Sequence, residues 1–142
     1  MLLPDGTPVV GLTLRYDRID NFWFCLLHEL AHVAKHLSVP GKLFIDDLDL
    51  RGHEAEVTDT KEKQADAMAI EAMIPRKIWK QNPIQGKATG PKIQAMAERL
   101  KIHPAIIAGR IRFEQKNYKL LSKYVGNREI RKHFKESCPG GI

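Results

Sequence analysis

The stretch FWFCLLHELAHVAKHL, Phe22 to Leu37, constrains this chain more than any other, because it is apolar nearly throughout yet carries three histidines and a glutamate. An unpaired polar group inside an apolar environment is costly, so these side chains need a partner. Asp20 offers an N-cap, and Pro40-Gly41 a stop, for a helix over about Asn21 to Leu37. On such a helix His28, Glu29, His32, Lys35 and His36 fall on one stripe. Phe22, Trp23, Phe24, Leu26, Leu27, Leu30, Val33 and Leu37 are then expected to pack into the domain, leaving the stripe to face a polar cleft.

His28 and His32 lie one helical turn apart, so both imidazoles can point at one atom, with Glu29 beside them. This is His-Glu-x-x-His, here HELAH, which supplies two zinc ligands and a carboxylate able to take a proton from water. A metzincin arrangement is excluded, since its glycine and third histidine would fall where Lys35 and Ser38 stand. His36 reads as the next turn of the same polar stripe rather than as a ligand.

Catalytic zinc takes three protein ligands, so a third must come from elsewhere. A second helix, EKQADAMAIEAMIP, is expected over about Thr60 to Ile74, starting at an Asp59…Glu62 capping box and ending at Pro75. Glu62 and Asp66 stand four apart on one face. Glu62 is chosen as third ligand, although a capping role would already occupy it, and His53, Glu54 and Glu56 are rivals. Asp66 would accept a hydrogen bond from the far nitrogen of one histidine and fix its tautomer. Ala65, Ala67, Ala69 and Ala72 would let this helix approach the first.

The segments GLTLRYDRIDNFWFCLLHELAHVAKHL, EKQADAMAIEAMIP and IQAMAERLKIHPAIIAGRI together resemble the ImmA/IrrE family of bacterial zinc metallopeptidases. The resemblance implies an α+β fold: a zincin-like, gluzincin-like core of a small β-sheet and active-site helices, with a helical, helix-turn-helix-like C-terminal part. It implies Zn2+ held by His28, His32 and Glu62, with Glu29 as the catalytic carboxylate. Glu29 would take a proton from water as it attacks a peptide carbonyl, then protonate the leaving amine. The family's substrates, helix-turn-helix repressors, imply a protein partner of that kind here and a role in transcription regulation or a toxin-antitoxin module. Some members carry a DNA-binding domain at their own N-terminus; the abrupt start of this chain is expected to mark the C-terminal part of a longer regulator or a free-standing peptidase.

The remainder is read more coarsely. With 142 residues, 43% of them hydrophobic and 28% charged, one soluble domain is expected, 1–142, made of a zinc-binding core over 1–85 and a basic helical subregion over 86–142. No run approaches the length of a membrane span and no secretory signal opens the chain, so a cytoplasmic location is expected. Cys25 and Cys138 do not form a disulfide framework. Strands are expected at PVVGLTLRYD, after the Asp5-Gly6 turn, and at KLFIDDLDL, with RGHEAEVTD as a polar loop. KIQAMAERLKIHPAIIAGRIRFE is helical on both sides of a turn at Lys101 to His103.

That helix pair and the basic end, 10 Lys/Arg against 3 Asp/Glu over residues 101–142, support a rival reading as a DNA-binding or antitoxin-like regulatory module with a structural zinc site. Its weakness is a recognition helix, PAIIAGRIRF, that offers only Arg110 and Arg112 to bases, so direct nucleic-acid binding is not favoured. His103, Tyr16, Tyr118 and Tyr124 are candidates for the oxyanion donor by residue type alone.

Overall fold

Apolar residues at helical spacing dominate this chain, and the structure, a computed structural model, is correspondingly helical. It describes residues 1–36, 53–84 and 87–134, with 53–58 described by their backbone only. The helices are α1 (Ile19–Lys35), α2 (His53–Met73), α3 (Arg76–Gln81), α4 (Gly90–Leu100) and α5 (Pro104–Glu114), followed by a 3-10 turn at Arg131–His133. None is long and apolar enough to cross a membrane.

The expected α+β, zincin-like core is corrected here: no sheet is present among the described residues. β-structure is limited to two isolated bridges, Leu2 with Pro8 and Arg18 with Asn127. The alternation in PVVGLTLRYD satisfies a strand's local preference, but a strand also needs a neighbour to accept its ladder, and Pro8 has no N–H to give one. The second expected strand, KLFIDDLDL, lies outside the described residues, as does Cys138.

The chain divides into two compact units. The first comprises Met1–Leu12 and Phe24–Pro75. It opens with a tight turn in which the Asp5 carboxylate accepts from Thr7 N at 2.9 Å and Gly6 takes φ +85°. Its described core is Ala31 from α1 with Ala65, Ala69 and Ile74 from α2 and its end. Ala67 and Ala72 face outward. α2 starts at His53, upstream of the expected capping box, and runs through what reads as a polar loop. Asp59 is therefore inside the helix, where it pairs with Lys63 at 2.6 Å rather than capping.

The second unit comprises Thr13–Trp23 and Arg76–Ile142. α4 and α5 pack against each other across the turn at Lys101 to His103. The Ile102 amide returns to Ala97 O at 3.1 Å, closing α4, and Pro104 opens α5 because its missing N–H is one that a helix start would leave unbonded. Ile93, Met96, Ile107, Ala108, Ile111 and Val125 fill this core. Residues 17–20 are tied to 125–131 by backbone bonds: Ile19 N reaches Val125 O at 3.1 Å, and Arg128 N reaches Asp17 O at 2.7 Å. The Asp17 carboxylate accepts from the amides of Ile130 and Arg131 at 3.0 and 2.8 Å. These bonds satisfy amides that the first turn of α1 and the 3-10 turn would otherwise leave open.

Gly126 makes this joint possible. Its φ is +72°, and a methyl group there would lie 2.6 Å from Ile19 Cγ1. Gly126→Ala combines a left-handed backbone with overpacking, and is expected to lower unfolding stability by about 2–4 kcal/mol. Urea denaturation measures this directly; an unchanged midpoint would show that residues 125–127 yield without cost.

Candidate metal centre

α1 and α2 bring together the side chains that the histidine motif and the Glu62–Asp66 face contribute, all within the first unit. His28 and His32, one turn apart on α1, direct their Nε2 atoms to the same place, 3.1 Å from each other. Glu62 of α2 meets both: Oε2 lies 2.9 Å from His28 Nε2 and Oε1 lies 2.9 Å from His32 Nε2. His28, His32 and Glu62 thus form a group able to hold a metal ion. Because α2 begins at His53, Glu62 has no cap to serve. The side chains of the rivals His53, Glu54 and Glu56 lie outside the described residues.

The dimensions fit zinc. Ligand atoms at 2.0–2.1 Å from a tetrahedral ion stand roughly 3.3–3.4 Å apart. The separations of 2.9–3.1 Å found here require each side chain to move outward by only a few tenths of an ångström.

Asp66 Oδ1 lies 2.8 Å from His28 Nδ1. An ionised carboxylate only accepts, so Nδ1 carries the hydrogen, and the Nε2 of neutral His28 is a bare lone pair. That lone pair faces a carboxylate oxygen of Glu62 at 2.9 Å, an arrangement of two acceptors that is favourable only with a cation between them. An imidazolium could supply it at His28 alone, but two protonated Nε2 atoms 3.1 Å apart would repel. At His32 burial pushes the pKa below the ordinary histidine value, with His28 and His36 adding in the same direction and Glu62 opposing. The neutral, metal-binding form of His32 is therefore favoured.

Asp66 touches the far nitrogen of His28 and is not one of the group His28, His32 and Glu62. Asp66→Ala is expected to weaken zinc binding about 10- to 100-fold in chelator competition while leaving the helices formed. An unchanged affinity would mean that His28 holds its tautomer by other means. Glu29 is half-buried on α1 beside His28.

The burial of α1 differs from the expected pattern. His32 is only 3% exposed and His36 9%, whereas Trp23 and Leu30 are exposed at 42% and 44%. The histidine stripe, not the full apolar surround, faces inward. His36, read from the sequence as the next turn of the polar stripe, and Gln64, which the sequence does not single out, both join the cluster: His36 Nδ1 lies 2.9 Å from His32 Nδ1, and His36 Nε2 lies 3.0 Å from Gln64 Oε1. The four-residue step from His32 to His36 was a usable signal. Gln64 had none, being about 200° around the helix from Glu62.

Of the suggested oxyanion donors, His103 is occupied as the N-cap of α5, its Nδ1 accepting from Ala105 N at 3.0 Å. Tyr16, Tyr118 and Tyr124 all belong to the second unit. Compared with known proteins, the chain matches no family model, and no curated protein or solved structure matches it.

Proposed function

We propose that the chain is a zinc-dependent endopeptidase acting on a helix-turn-helix repressor or antitoxin-type regulator. The observation that carries this reading is the convergence of two histidine Nε2 atoms and the Glu62 carboxylate at 2.9–3.1 Å, a group able to hold a metal ion. The HELAH spacing supports it by putting a carboxylate, Glu29, directly after His28 on the same helix. The substrate class rests on the ImmA/IrrE resemblance of the three quoted segments.

When bound, zinc would act as a Lewis acid that polarises the scissile carbonyl and makes water a stronger acid. His28, His32 and Glu62 would hold the ion, and Asp66 would keep His28 in the tautomer this needs. Glu29 accepts the proton of the attacking water on its carboxylate and returns it to the leaving amine.

The rival, a DNA-binding module, draws on the α4–α5 pair and the basic end. Arg112, however, is buried, donates to Tyr118 O, and leaves Nε and Nη1 without hydrogen-bond partners. Arg110 pairs with Glu114 at 2.7 Å and lies over the Trp79 ring at 5.2 Å. Both cations of α5 are thus engaged within the second unit, which argues against their reading bases.

The test is incubation of the zinc-loaded chain with the helix-turn-helix protein encoded beside it, followed by mass spectrometry, with a gel shift at physiological salt in parallel. Cleavage without a specific shift is expected. A sequence-specific shift by this chain with the repressor left intact would favour the module.

A further inference from the structure

His28 and His32 are oriented by different devices. His28 donates its Nδ1 hydrogen to a carboxylate, but the only described side chain at His32 Nδ1 is another imidazole, His36, at 2.9 Å. His36 is buried, so its ring must satisfy both nitrogens locally. Its Nε2 lies 3.0 Å from Gln64 Oε1, an amide oxygen that can only accept. The hydrogen on His36 therefore sits on Nε2, which leaves Nδ1 as a bare acceptor. His32 must then donate from its own Nδ1, and its Nε2 lone pair is directed at Glu62 and His28.

We infer that His36 and Gln64 form a relay that sets the tautomer of His32, and so make His36 a positioning residue for metal binding. The inference rests on the zinc reading above, because the tautomer matters only if His32 Nε2 is a ligand. Each link in the chain of bonds has one donor and one acceptor, and reversing any one of them reverses all.

The test combines spectroscopy with affinity. Long-range 15N–1H correlation spectra of the zinc-loaded wild-type chain should show His36 as the Nε2–H tautomer and His32 as the Nδ1–H tautomer. In chelator competition, His36→Leu should weaken zinc binding about 10- to 100-fold, in the range seen when a partner of a ligating histidine is lost. His36→Asn, whose amide oxygen stands where Nδ1 stood, should recover most of that loss, and Gln64→Glu, which can only accept, should bind zinc as well as wild type. A purely structural role for His36 would not produce this split between Leu and Asn. An Nδ1–H tautomer at His36 overturns the relay, as does unchanged affinity in a folded His36→Leu. Should His36→Leu fail to fold, the wild-type tautomers decide alone. A wild-type chain that binds no zinc overturns the metal reading and this inference together; zinc bound normally with either of the adverse results overturns the relay only.

Discussion

Glu29→Gln is expected to leave zinc bound and to slow cleavage of the repressor about 100- to 10,000-fold, the range for losing a general acid–base group. The amide is nearly the same size as the carboxylate, so the half-buried site beside His28 is not emptied, and the candidate metal group His28, His32 and Glu62 is untouched. What disappears is the ability to take a proton from water and pass it to the leaving amine. The effect should therefore fall on kcat more than on KM, since no substrate contact is removed. Full activity in the zinc-loaded variant would refute the role given to Glu29, and loss of both metal and activity would show that Glu29 is a ligand instead.

The second large effect belongs to Glu62. Glu62→Ala is expected to reduce zinc affinity by more than about 100-fold, because it removes a ligand rather than a partner of one. Thermal unfolding reads this conveniently. A ligand present at 100 times its Kd stabilises the native state by about 2.7 kcal/mol, which for a chain of this size raises Tm by about 10 °C. The wild-type chain should show that shift on adding zinc and lose it with chelator, while Glu62→Ala should show little of either. The comparison is informative because Glu62 contacts both histidines at 2.9 Å, so the variant leaves two imidazoles that keep their helix but lack the carboxylate that closes the site. A wild-type shift retained in Glu62→Ala would return the third ligand to one of the rivals on α2, His53, Glu54 or Glu56.

How far the sequence discloses this molecule depends on which features are local. His28 and His32 are legible because a four-residue step on a helix converges two rings whatever surrounds them. Helices α4 and α5 are legible from periodicity, a turn, and Pro104 at a helix start. Asp66 is legible from its step to Glu62. The expected strand at PVVGLTLRYD is not found, because alternation describes one strand's preference while a sheet is a pairing between distant segments; these residues instead lead into bonds with 125–131. Asp59 and Glu62 have the form of a capping box, but α2 starts upstream of them, so that Asp59 pairs with Lys63 inside the helix and Glu62 lies against His28 and His32. In the sequence His36 has the form of another polar turn, because its partner Gln64 stands on a different helix. Trp23 and Leu30 show the converse, apolar residues left exposed on a helix whose polar stripe turns inward.

The central claim is that a single divalent ion sits between α1 and α2, and anomalous diffraction at the zinc edge from crystals of the zinc-loaded chain tests it most directly. One peak is predicted about 2.0–2.2 Å from His28 Nε2, His32 Nε2 and a Glu62 carboxylate oxygen. A crystal saturated with zinc that shows no peak among these three residues, or one bound without Glu62, would contradict it.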